Sequence, residues 1–154
     1  MDMSKDLQIN TAIAFLDIGS YANDLDRDFS RQSMQFKSDA YYAIPSLVNL
    51  AFSCEIFLKA ILNISNVEYG KTHSLCDLYN KLPDVAKAQL NIAFKDRCAY
   101  PVSFEETMKV HSNTFPDFRY IFEEKNKLAY GYPDNLQLAA EVMRDLLHDI
   151  EASK

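Results

Sequence analysis

Ser46 to Leu62 reads SLVNLAFSCEIFLKAIL, and its two charged residues are Glu55 and Lys59. At 3.6 residues per turn, Val48, Ala51, Phe52, Glu55, Leu58, Lys59 and Leu62 fall on or near one side, while Leu47, Leu50, Phe57 and Ile61 cover much of the rest. A helix apolar nearly all round is a central one, packed by neighbours on several sides. With a rise of 1.5 Å per residue it spans roughly 25 Å, enough to cross a small domain. Two charges one turn apart are out of keeping with such a helix. Their i, i+4 order is favourable by roughly 0.2–0.5 kcal/mol on an exposed surface. A buried charge survives only when it is paired and hydrogen-bonded. Glu55 and Lys59 therefore either meet partners from other helices, as a structural ion and hydrogen-bond cluster or with Glu55 in a catalytic role, or simply lie on an exposed surface.

The chain around this stretch has 154 residues, enough for one domain, taken as 1–154. Three glycines and five prolines are too few for the frequent turns of an all-β fold. A net charge of −6 and a pI near 5.0 disfavour nonspecific nucleic-acid binding by the whole surface, yet leave room for a local basic groove. Cys54, Cys76 and Cys98 are odd in number and far apart, which predicts reduced thiols and a cytoplasmic location. The opening MDMSKDLQIN has no secretory pattern, and no apolar run of about 18 residues lacks a charge, so no membrane partner is expected. Metal spacings of the H-x-x-x-H or C-x-x-C type, Walker-A, Rossmann and nucleophile-elbow patterns are all missing from the sequence. No metal and no cofactor are expected.

Ser4 is positioned to cap a first helix over about 5–27, with Ile9, Ala12, Ile13, Leu16, Tyr21 and Leu25 as its stripe and a slip near Gly19. The polar segment 28–37 continues that helix or forms a loop; a flexible arm over about 28–38 is one reading. Pro45 either kinks a helix begun at Asp39 or Ala40, or sits in the first turn of a new one. A loop over 63–71 precedes a short helix over 72–81 with Leu75 and Leu78 inward. Pro83 opens a helix to about Asp96 with Val85, Leu90, Ala93 and Phe94 on its apolar side. After the Tyr100-Pro101 break, Ser103 and Glu106 have capping-box spacing. Pro116 restarts the chain as PDFRYIFEEKN, and Asp134 is expected to cap a last helix whose stripe is Leu136, Ala139, Ala140, Met143, Leu147 and Ile150. No alternating strand pattern occurs. The predicted class is all-α, a helical bundle of four main helices plus short ones.

His73, in KTHSL just ahead of the short helix, can bind an anion, exchange a proton near neutral pH, cap or pack. His111 and His148 lie within helical patterns without companions of ligating type. Arg119 sits among Phe115, Phe118, Tyr120, Ile121 and Phe122, where an arginine forks onto a carboxylate or binds a phosphate. Glu55 is one carboxylate it could meet.

Three segments in order, LVNLAFSCEIFLKAIL, KTHSLCDLYNKLP and FPDFRYIFEE, resemble successive segments of HEPN-like domains, the higher-eukaryote and prokaryote nucleotide-binding family. The matching residues are Asn49, Ala51, Phe52, Glu55, Leu58 and Lys59; then His73, Leu75 and Leu78; then Phe118, Arg119, Tyr120 and Glu123. The resemblance covers roughly 40–125 and implies a helical bundle that usually forms homodimers. It further implies metal-independent ribonucleases of toxin–antitoxin, phage-defence or RNA-processing systems, or noncatalytic RNA- and nucleotide-binding modules. Catalytic members carry an Arg and a His with four to six residues between them; after Arg119 those places hold Glu124, Lys125 and Asn126. The usual nuclease signature is not intact.

Three readings follow. The first is a homodimeric HEPN-like module that binds RNA or a nucleotide phosphate in a local cleft. Its phosphate-binding or structural polar cluster comprises Asn49, Glu55, Lys59, Arg119, Tyr120 and Glu123, with His73 facing the anion, and a bacterial defence or toxin–antitoxin setting is implied. The second is a metal-independent endoribonuclease of divergent constellation, with His73 moving the proton and Arg119 stabilising the phosphorane. The third is a noncatalytic module that works through a protein partner.

Overall fold

The computed structural model describes residues 3–32, 42–114, 117 and 133–153. Among them are six helices and no strand: α1 (Met3–Gln32), α2 (Ala43–Ile64), α3 (Leu75–Lys81), α4 (Asp84–Arg97), α5 (Phe104–Val110) and α6 (Pro133–Ala152). The all-α class and the division into four long and two short helices are as expected. The first helix runs past residue 27, with no proline or glycine between Gly19 and Pro45 to stop it. Pro45 lies in the first turn of α2, where its missing N–H costs nothing.

Helix α2 is the axis of the fold. Twelve of its 22 residues are buried, and it packs against α1, α3 and α6. Length and composition alone would let it cross a bilayer, but here most of its apolar surface is taken up by neighbouring helices. Hydroxyls fasten it to α1: Ser53 Oγ donates to the Ala12 carbonyl at 2.8 Å and Ser46 Oγ to the Gly19 carbonyl at 3.1 Å. These bonds satisfy polar groups that would otherwise be stranded in the core. On the other side, α6 buries Leu136, Ala139, Ala140, Val142, Met143 and Leu147. Cys54 donates weakly to the Leu136 carbonyl at 3.6 Å, and burial pushes its thiol pKa up. All three cysteines are free thiols.

The short helices close one end. Phe104 of α5 meets Phe94 of α4 edge-on at 5.7 Å and Tyr79 of α3 at the same separation. The capping box at Ser103 and Glu106 is formed in both directions. Four details depart from expectation. Helix α3 starts at Leu75 rather than at 72, because the Ser74 side chain accepts the Asp77 N–H and caps it. Asp134 lies inside the first turn of α6; its carboxylate is drawn sideways to Asn23 at 2.8 Å and Arg27 at 2.7 Å. Val85 is exposed, since the inward row of α4 is Ala86, Leu90 and Phe94 and Val85 falls off it. Tyr21 is exposed for the same reason: Leu16, Gly19 and Asn23 carry the inward row of α1 past it. Of the helix expected after Pro116, Asp117 alone is described, and it is helical; segment 33–41, with most of the expected arm, lies outside the described residues.

Candidate functional site

Glu55 is fully enclosed on α2, with its side chain 3% exposed. One carboxylate oxygen, Oε1, accepts from Lys59 Nζ at 2.7 Å and from His73 Nδ1 at 2.9 Å. The Lys59 side chain is 17% exposed and the His73 side chain 62%. The cluster thus runs from a sealed carboxylate outward to an open imidazole. The second oxygen, Oε2, is buried and has no hydrogen-bond partner among the described residues. An unsatisfied buried acceptor costs about 1–3 kcal/mol, more when it is charged.

His73 reaches Glu55 because the connection after α2 folds back. Asn66 (φ 55°) and Gly70 (φ 70°) both take left-handed backbone, the conformation of tight bends, within this connection. Val67 N–H donates to the Leu62 carbonyl at 2.9 Å, and Lys81 Nζ donates to the Tyr69 carbonyl at 2.9 Å. Tyr69 then presents its ring to Lys59, whose Nζ stands 5.6 Å from the ring centroid. On the far side of His73, the Ser74 and Ser112 hydroxyls are 2.7 Å apart, and the Leu75 N–H donates to the Ser112 carbonyl at 3.1 Å. The loop is therefore pinned to α2 at one end and to the turn after α5 at the other. An open cleft lined by Asn63, Asn66, Val67, Glu68, Tyr69 and Gly70 lies along it.

A carboxylate only accepts hydrogen bonds, so His73 Nδ1 carries the hydrogen of the shared bond. That leaves Nε2 as an acceptor in the neutral ring and a donor in the protonated one. With His73 neutral, Glu55 and Lys59 cancel; with His73 protonated, the cluster carries one positive charge. Lys59 uses one of its three N–H bonds on Glu55, and its ammonium also stands over the Tyr69 ring.

Of the residues expected at a site, Glu55, Lys59 and His73 converge. Asn49 does not join them: its amide donates to the Pro45 carbonyl at 2.7 Å on its own helix. Arg119, Tyr120 and Glu123 lie outside the described residues. His111 is buried against Thr114 at 3.2 Å, and desolvation pulls its pKa down to about 4, so it is a neutral core group. Among the described residues no three His, Cys, Asp or Glu side chains are grouped to hold a metal. Sequence reasoning missed Tyr69, Ser74 and Ser112. The spacing of Ser74 and Asp77 is a legible cap; Tyr69 arrives through two left-handed turns and carries no sequence signal of its own.

No family model matches the chain, and neither the curated proteins nor the solved structures include a significant match.

Proposed function

We propose that the chain is a HEPN-like helical domain that holds RNA or a nucleotide by a phosphate at the Lys59–His73 surface, as a noncatalytic or weakly catalytic homodimeric module in a bacterial defence or toxin–antitoxin setting. The observation that carries this reading is the sharing of Glu55 Oε1 by Lys59 and His73. Two N–H-bearing side chains from different segments meet on one carboxylate oxygen, a pairing of donors suited to a tetrahedral anion. The ordered likeness of the segments bearing Asn49, Glu55, Lys59 and His73 to HEPN-like motifs supports the same reading. Binding of this kind rests on a local pair of donors, which suits a protein of net charge −6.

Fluorescence anisotropy with a labelled single-stranded RNA and with ATP tests it. Lys59→Met and His73→Ala are each expected to weaken binding at least tenfold while leaving the circular dichroism spectrum intact. Unchanged affinity in folded variants of both residues rejects it. Light scattering tests the dimer, with twice the monomer mass expected.

A second reading, metal-independent RNA cleavage, is favoured by one bond: the carboxylate on His73 Nδ1 fixes the tautomer in which Nε2 can take a proton. In that reaction Nε2 removes the 2′-OH proton, the 2′ oxygen bonds to phosphorus as the bond from phosphorus to the 5′ oxygen breaks, and the 5′ oxygen leaves as an alcohol by taking a proton from water. Incubation with mixed RNA in EDTA separates the two readings: cleavage lost in His73→Ala supports the enzyme, and intact RNA supports the binder.

A further inference from the structure

Helix α1 has two apolar faces. Ile9, Ala12, Leu16 and Ala22 turn inward and are buried in the bundle. The opposite face carries Leu7, Ala14, Ile18, Tyr21 and Leu25, with Thr11 in the one remaining place. Positions 7, 11, 14, 18, 21 and 25 alternate by four and three, the period of a coiled-coil seam rather than of a helix buried in a globular core. Leu7 is 68% exposed, Ile18 55% and Tyr21 67%. The seam runs roughly 27 Å along the helix. Leu7, Ala14, Ile18 and Tyr21 are exposed in succession along one line of the helix rather than scattered singly over the surface.

The borders of the seam differ. Asp17, Asp24 and Asp28 lie at i, i+7 and i+11 along one edge, all exposed. Among the described residues, Asp24 has a long 3.7 Å contact to Arg27, with its side chain 64% exposed. The other edge, Gln8, Phe15 and Ala22, is uncharged: Phe15 meets Phe52 edge-on at 4.6 Å, and Ala22 lies at the border where the seam gives way to the buried face. A second copy of α1 is a poor complement. Antiparallel pairing about a two-fold axis would face the aspartates with their own copies, and parallel pairing would set them against Phe15 and Ala22. Anionic lipid is repelled by the same three carboxylates. The charge pattern asks for a helix with aliphatic seam residues and a basic flank.

We propose that the outer face of α1 docks an amphipathic helix of a partner protein, with aliphatic residues on the seam and lysine or arginine facing Asp17, Asp24 and Asp28. This surface is independent of the Glu55 cluster, and either assignment stands without the other.

The probe is a labelled synthetic three-heptad peptide with Leu on the seam and Lys on one flank, titrated into the full chain at low salt. A scrambled peptide of equal composition and a version with Glu in place of Lys serve as controls. The Lys-flanked peptide is expected to bind at least tenfold more tightly than either. Ile18→Glu with Tyr21→Glu, both at exposed positions, is expected to abolish that binding and leave RNA binding unchanged. Asp17→Lys with Asp24→Lys is expected to reverse the preference toward the Glu-flanked peptide. Equal binding of the scrambled peptide, no binding of any peptide, or insensitivity to the charge reversal overturns the proposal. So does a dimer in light scattering that becomes monomeric with Ile18→Glu, because the face would then belong to a second copy.

Discussion

Gly19 lies against Leu50 so closely that a Cβ at Gly19 would stand 2.7 Å from Leu50 Cγ, 2.9 Å from Cδ2 and 3.0 Å from the Leu50 backbone nitrogen. The missing side chain sets how near α1 and α2 approach, and it keeps the Gly19 carbonyl within reach of Ser46. Gly19→Ala would gain about 1 kcal/mol of helix propensity. Overpacking a fully buried leucine and a backbone atom costs about 2–3 kcal/mol. A net loss of about 1–2 kcal/mol is expected in urea unfolding; a stabilised Gly19→Ala would show that the helices can separate freely at this point.

Glu55 and Lys59 should prove strongly coupled. Glu55→Leu strands a largely buried ammonium and is expected to cost about 3 kcal/mol. Combining it with Lys59→Met removes the stranded charge and should recover at least 1 kcal/mol. Denaturant midpoints of the four proteins close the cycle, and additive losses would contradict the burial of the pair.

His111 predicts a specific acid sensitivity. Burial lowers its pKa from 6.5 to about 4 in the fold, so the unfolded chain binds the proton first as the pH drops. The stability linked to this group is complete above pH 6.5, is lost as the pH falls from there to about 4, and levels off below. The full loss is up to about 3 kcal/mol. His111→Gln keeps a partner for Thr114 and cannot be protonated, so its stability should fall less steeply over that interval.

Asn23 ties α1 to α6. Its amide, 3% exposed as a residue, donates to Asp134 at 2.8 Å and to Gln137 at 2.9 Å. Asn23→Ala loses both bonds and is expected to cost about 1–3 kcal/mol. Hydrogen exchange should quicken first at the amino end of α6; a uniform change along the chain would argue against a local tie.

The architecture was legible because helix-forming pattern is written in one dimension. The apolar circumference of Ser46–Leu62 marks the central helix, and the charges at Glu55 and Lys59 demand partners inside it. His73 was recoverable as such a partner because it stands just ahead of a capped helix. What escaped depends on approach between segments. Ser53 looks like an inert small residue until Ala12 presents a carbonyl to it. Tyr21 and Val85 fit an apolar stripe by spacing alone, yet the packing selects the neighbouring row in each helix. Asp134 is a capping residue type just ahead of the Leu136 stripe, yet it lies inside the first turn and finds Asn23 and Arg27 within reach.

The bond from His73 to Glu55 spans eighteen residues of chain and closes a ring through one exposed imidazole. Exposed side chains change rotamer on the picosecond-to-nanosecond scale. Each departure of His73 leaves Lys59 in sole possession of the shared oxygen, while the bonds of Val67 to Leu62, Lys81 to Tyr69 and Ser74 to Ser112 keep the loop in place. How the buried oxygen is shared is therefore set by the rotamer of a single surface side chain, and the ring resonances of His73 become a remote gauge of the buried carboxylate.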